Sequence, residues 1–364
     1  MNCELVHIFV YVVDEKLPIN KIKEILKKPE EFSKYEYKAP SPEEVPTFSV
    51  PYIFNLRGGD INIGGHSLKA RTQVAIYETG AISIRVRIPL ENAEIKDLSD
   101  ITFQKEAKEG VSILLQKAKN NIESSLSKIM SIKFNESNET YKFYYIHGNS
   151  SFLLKSYKKQ IAGLIVDEKD ADILSDRYVE EVLSNSISYS QNDIFFVGWE
   201  GSVMIDTQSL YDYEIIISEI ANIQLLKLRL YRKRVSEMQS STSDAISKIM
   251  GVGIIKRMFG MEAAKLNRML SSFYDNAMET INTTNNIAFG LGEWYLSKLY
   301  ALFANVFKIK ELSQIVEDDM KIISKRQEFV VEQLRAGQTD ALEIIMIVLI
   351  VLEILLEIIF IKKF

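Results

Sequence analysis

The sequence is poor in the residues that most often announce chemistry. One cysteine, Cys3, stands in 364 residues, so an intrachain disulfide is excluded and the body is expected in a reducing compartment. The three histidines, His7, His66 and His147, fall in separate predicted elements. His7, inside an apolar run, reads as a core histidine. No HExxH, CxxC or Gly-x-Ser-x-Gly pattern is present, which removes the linear signatures of zinc proteases, thiol redox centres and α/β-hydrolases. Positive charge is not in excess: 44 Lys and Arg stand against 49 Asp and Glu, a net charge of −5. A broad phosphate-binding surface is therefore not expected, nor nucleic acid as a partner. The amino terminus, apolar from Leu5 to Val13, lacks a basic leader and a small-residue cleavage site, and reads as a buried strand. Four Asn-x-Ser/Thr sequons, at Asn135, Asn138, Asn149 and Asn282, read as chance occurrences. No catalytic residue, cofactor or metal ligand is assigned.

What is abundant is hydrophobic surface at the carboxyl end. From Ala341 to Ile361, 21 residues carry only three charges and no Pro or Gly. A helix needs about 20 apolar residues to cross a bilayer core, so this stretch is expected to be a single C-terminal transmembrane helix, with the lipid bilayer as a partner. Only three residues follow it, the layout of a tail-anchored membrane protein. Lys321, Lys325, Arg326 and Arg335 precede the span against Lys362 and Lys363 after it, which places the body on the cytoplasmic side. The three charges are Glu343, Glu353 and Glu357. At about 100° per residue they share one helix face. Acids in a span are costly and usually face protein or water, so the stripe is expected to face a partner helix in a homo-oligomer.

Upstream, Glu293 to Arg335 contains no Gly or Pro and a heptad register fits. Leu299, Val306, Ser313, Met320, Gln327 and Leu334 take one seam position; Leu302, Ile309, Val316, Ile323 and Val330 take the other. This predicts a coiled-coil stalk against a neighbouring helix of the same chain or another subunit. A second long helix is predicted over Leu210–Ser240, ended by the Ser/Thr run Ser240–Ser243, with Lys227, Arg229, Arg232, Lys233 and Arg234 as a solvated basic face. Ile254, Ile255, Met258 and Phe259 are assigned to a helical bundle, and a further helix to about Glu262–Ile287.

The first 206 residues read differently. Strands are predicted at Leu5–Val13, Tyr52–Leu56, Thr72–Tyr77, Ala81–Pro89, Lys142–His147, Asp193–Gly198 and Ser202–Asp206. Helices fit Asn20–Lys27, Ser99–Lys133, Ser150–Ile161 and Lys169–Ser184, and Lys38–Pro51, with four of the seven prolines, reads as a loop. The fold class is thus an α+β body over 1–206, an all-α stalk or bundle over 207–337, and the anchor over 338–364. Val74–Ile84 and Phe196–Ile205 echo one another, each a hairpin with an aromatic-Glu turn. Arg57–His66, rich in glycine, reads as a long hairpin turn rather than a phosphate loop.

Three segments carry a family resemblance: LEIIMIVLIVLEILLEIIF (Leu342–Phe360), ANIQLLKLRLYRKRV (Ala221–Val235) and YETGAISIRV (Tyr77–Val86). By them the carboxyl half, with that one short strand of the amino-terminal body, resembles, as a distant relative, a family of membrane proteins named for a requirement in meiotic nuclear division. Thr339, Asp340 and Ala341 stand where that family has Trp and His near the start of its span. The resemblance implies a membrane-anchored, oligomeric scaffold, linked in mitochondria to supporting translation near the inner membrane, and offers no catalytic residues.

The function expected from the sequence is a membrane-anchored, homo-oligomeric scaffold that recruits a soluble protein partner. The alternatives are an ion pathway lined by the glutamates of the span and an enzyme with a dispersed site in the amino-terminal body, acting on nucleotides around Arg57–His66.

Overall fold

The computed structural model describes residues 1–13, 17–26, 32–34, 51–63, 66–127, 137–208, 211–251, 264–275, 277–278 and 294–361, with 129, 132 and 134 between them. The predicted loop at 38–50, the apolar cluster at 254–259 and Gly290 and Gly292 lie outside these residues. The chain divides into two compact units, one of Met1–Lys227 with Thr284–Glu311 and one of Leu228–Thr283 with Leu312–Phe364.

The first unit is built on a mixed sheet. Its strands are β1 (Cys3–Val12), β2 (Phe32–Lys34), β3 (Tyr52–Ile63), β4 (His66–Tyr77), β5 (Ala81–Leu90), β6 (Glu139–His147), β7 (Ser186–Ile187), β8 (Ile194–Val197) and β9 (Gly201–Asp206). They lie in the order β2-β3-β4-β5-β1-β6-β9-β8-β7. Among the described strands only β6 and β9 pair in parallel. The strand nearest the amino terminus is thus the middle of the sheet, which is why its sequence is apolar at nearly every position rather than at alternate ones.

One face is covered by helices α1 (Ile19–Leu26), α2 (Ile95–Phe103), α3 (Lys105–Leu126), α4 (Ser150–Val166) and α5 (Asp176–Ser184). The even residues of β5, Ile82, Ile84, Val86 and Ile88, bury here. They share the layer with Ala107, Val111, Leu114, Ala118 and Ile122, spaced by three or four residues along α3. Asn149 caps α4 by accepting from the Phe152 amide at 3.2 Å, and Ser175 caps α5 through the Tyr178 amide. The predicted helix Ser99–Lys133 is in fact two, parted at Gln104, whose backbone is extended.

The other face is covered by the first part of α6 (Asp212–Gly251) and by α8 (Trp294–Val306). Tyr141 and Phe195 of the sheet meet Phe303 of α8 with ring centres 5.9 and 6.0 Å apart.

In the second unit, α6 continues beyond Lys227, followed by α7 (residues 264–275) and most of α9 (Ile309–Ile361). The run Ser240–Ser243 does not end α6, because Ser and Thr cost a helix interior only a few tenths of a kcal/mol each. Tyr231 of α6 meets Phe273 of α7 at 6.1 Å.

The largest correction concerns the carboxyl end. Among the described residues no helix is long and apolar enough to cross a membrane. The expected transmembrane anchor is not a separate element but the end of the 53-residue α9. Its carboxylates divide it: the longest stretch free of charge, Ile344–Leu352, has nine residues, under half of the roughly 20 that a bilayer core needs. The transmembrane part of the fold class, the tail-anchored layout, the membrane localisation and the cytoplasmic placement inferred from it are therefore set aside. The ion-pathway alternative, which required the span, loses its premise.

Candidate functional site

Two features of this chain concentrate unusual chemistry: a charged joint buried under α6 and an apolar surface at the end of α9. The joint begins with the odd residues of β5. Ser83, Arg85 and Arg87 alternate with the apolar core residues and so all point away from it. On a strand with one wet face they would meet water, yet Ser83 and Arg85 are wholly buried. Glu219 of α6, equally buried, receives Arg85 Nε and Nη2, both at 2.6 Å, one on each carboxylate oxygen. Ser83 Oγ donates to the same carboxylate at 2.6 Å and Tyr77 Oη at 2.5 Å. The bidentate fork and two hydroxyl donors satisfy a charge that would otherwise be very costly to bury.

A second cluster lies next along the strand. Arg87 Nη2 donates to Glu4 of β1 at 2.7 Å, and its Nη1 lies 3.3 Å from Gln73 Oε1 and 3.5 Å from Asp212 Oδ1. Tyr211 closes the cluster by donating to Glu4 and stacks on Tyr145 at 4.2 Å. Burial opposes the Arg87 charge, but Glu4 outweighs it and the guanidinium pKa is pushed up. Burial first, and then Glu4, raise the Tyr211 phenol, which stays protonated. Together these contacts fasten α6 to the middle of the sheet. The hydrogen bonds named here all run between protein groups of the sheet and of α6 or the residue before it, which is the arrangement of a joint that holds an element in place.

The residues singled out by sequence are not gathered in one place. Leu299 of α8 is buried and Leu302 and Val306 are half-buried, in the first unit. The seam is then interrupted by Phe307 and Lys308, the latter at φ 52, and resumes at buried Ile309 on α9. Within the second unit Val316, Met320, Ile323 and Val330 are buried, as is Ser313 at a seam position. The side chains of Leu334 and Glu357 lie outside the described residues. Glu343 and Glu353 are exposed. Around them Leu342, Ile345, Met346, Ile347, Val348, Leu349, Ile350, Val351 and Leu352 are all about half exposed or more, a large contiguous apolar surface.

His147 is exposed on the sheet, 3.3 Å from Tyr145 Oη. Arg57–His66 spans the β3–β4 hairpin, with a register shift between Leu56 and Gly59. Cys3 is buried, and burial above all raises its thiol to about 11. Among the described residues no group of three or more His, Cys, Asp or Glu is placed to hold a metal ion.

The fold defines a class: a mixed-sheet body helically covered on both faces, followed by long helices. Within it, the chain belongs to the family described as uncharacterized protein MJ0711, N-terminal domain, whose model matches residues 2–212. It is similar to the uncharacterized protein MJ0711 of Methanocaldococcus jannaschii, 26% identical over 233 residues that cover 64% of this chain and 69% of the relative. No solved structure matches.

Proposed function

We propose that this protein is a non-enzymatic interaction scaffold whose copies associate through the carboxyl end of α9, holding several mixed-sheet bodies for a soluble protein partner. The observation that carries this reading is the apolar surface from Leu342 to Leu352. Contiguous patches of this kind on a protein in water mark places where another molecule belongs.

The heptad phase supports a second copy as that molecule. The register that places Val316, Met320, Ile323 and Val330 in the buried seam of the second unit continues without a stutter to Ala341, Ile344, Val348 and Val351. Val348 and Val351 are exposed, 54% and 51%, so the cover that fills the seam upstream ends before them. The same phase assigns Glu343, Glu353 and Glu357 to the outward positions of the heptad, away from the seam. On this reading the acidic stripe faces water rather than the helix–helix contact. The flanking positions, Ile345, Ile347, Leu352 and Ile354, are also apolar. So broad a face suits an assembly of more than two helices.

Sedimentation velocity of the full chain in detergent-free buffer tests the proposal. The expected result is a species larger than a dimer, broken to monomer by Val348→Glu with Val351→Glu and unchanged in mass by Glu353→Gln. A monomeric wild type, or a mass indifferent to the seam substitutions, would overturn it. So would a monomer that partitions onto phosphatidylcholine vesicles.

A further inference from the structure

The middle strand of a nine-stranded sheet is ordinarily sealed on both faces. Here β1, fifth of nine, is sealed beneath α6 but not on the opposite face, where burial lapses at His7 and Phe9. It lapses again on β6 at Thr140 and Lys142. These four are cross-strand partners, His7 with Lys142 and Phe9 with Thr140, so they form one opening. Helix α3 lies over β3, β4 and β5, and α4 over β8 and β9, which leaves β1 and β6 between them.

The rim of the opening is chemically distinct from its surroundings. Phe103 ends α2, Lys108 stands in the first turn of α3, and Asp167 follows α4 directly. Lys142 Nζ is ion-paired with the Asp167 carboxylate and lies 5.7 Å from the centre of the Phe103 ring. Lys108 Nζ lies 5.6 Å from the centre of the same ring. Asp167 takes a left-handed backbone, φ 58, which costs most side chains and is tolerated best by Asn and Asp. His7 stacks on Phe9 with ring centres 6.3 Å apart. Burial, and after it the nearby Lys142 charge, lower His7 to about 4, so at neutral pH its ring is an uncharged donor and acceptor.

We propose that this opening binds a small ligand through a phosphate or carboxylate group, with Lys142 and Lys108 as counter-charges, His7 as the hydrogen-bonding floor, and Phe9 and Phe103 against the rest of the molecule. Two ammonium groups face one carboxylate, so the opening carries a net positive charge that an anion neutralises. Asp167 engages Lys142 as the acid group of a ligand would, and therefore competes with it. The opening lies in the first unit and is independent of the association of α9.

The test is the imidazole NMR signals of the full-length protein, with His7 identified by its loss in His7→Gln. Sodium phosphate and sodium succinate are titrated separately, which distinguishes the two anion sources. The expected result is a saturable shift at His7 with at least one of them and none at His147. Asp167→Asn should tighten binding several-fold, and Lys142→Met should weaken it about tenfold, as for loss of a charge-assisted contact. Should Lys142→Met fail to fold, Lys108→Met, at an exposed position, gives the same comparison. The absence of a saturable shift with either salt, an equal shift at His147, or an affinity unmoved by all three substitutions would overturn the proposal.

Discussion

Glu219 is the centre of one of the two clusters that fasten α6 to the sheet. It accepts from Arg85, Ser83 and Tyr77 at once, and none of these groups reaches bulk water. Glu219→Gln removes the charge and leaves Arg85 buried against a neutral amide. The expected loss is about 3–5 kcal/mol of unfolding free energy, read from urea denaturation of the full chain. The pair Arg85→Met with Glu219→Leu should lose much less than the sum of its members, because both desolvated charges leave together. His7 makes a pH prediction. Its folded pKa, about 4, lies below its unfolded value near 6.5. Between those limits the unfolded chain binds more protons, so stability rises with pH across the window and falls on acidification through it. The effect is on the order of 2 kcal/mol for a half-buried ring, and His7→Gln should flatten the dependence of the urea midpoint on pH from 4 to 6.5. At this scale the sequence was only partly legible. AISIRVRIPL alternates as a strand with one wet face would, and nothing local shows that its arginines are matched by acids 83 and 134 residues away. The available signal was on the other side: Glu219 stands in IIISEIANI, an acid in a helix that is apolar all round.

At the scale of elements, strands were the more readable. All seven predicted strands are present, because each is a short apolar run bounded by turn residues. The helices were mis-bounded where a tertiary contact decides. The expected continuous stalk breaks at Phe307, whose ring packs on Tyr141 and Trp199 at 5.8 and 5.6 Å. No local helix breaker marks the place. The echo between the two hairpins is real as conformation, yet β5 meets β1 antiparallel while β9 meets β6 in parallel, so the halves do not repeat one connection. The β8–β9 turn shows how tightly elements fit. A Cβ on Gly198 would lie 2.3 Å from the Ile165 side chain and 2.9 Å from its carbonyl oxygen, at the end of α4. Gly198→Ala should lower unfolding free energy by about 1–3 kcal/mol, a cost typical of overpacking, measured by the shift of the thermal midpoint. A midpoint unchanged within a degree would mean that α4 yields more readily than its packing indicates.

At the scale of the whole molecule, composition suggested one membrane-bound object, and that inference failed on a count of charges rather than of apolar residues. Glu343, Glu353 and Glu357 leave no uncharged run in α9 longer than Ile344–Leu352. What survives is a chain with an amphipathic logic carried over many turns, and it makes concentration a variable. If copies associate through Val348 and Val351, the apparent stability of the assembly rises with protein concentration, whereas the Val348→Glu, Val351→Glu chain should show none of that dependence.

The matched family model stops at residue 212, but the first compact unit does not: it recruits 212–227 and then 284–311 from far downstream. Tyr141 and Phe195 receive Phe303 only after some three hundred residues have left the ribosome. Until then Tyr141 and Phe195 lack this aromatic cover, though α6 already lies on the same face, and a transcript cut short before residue 294 would yield a polypeptide that never acquires it.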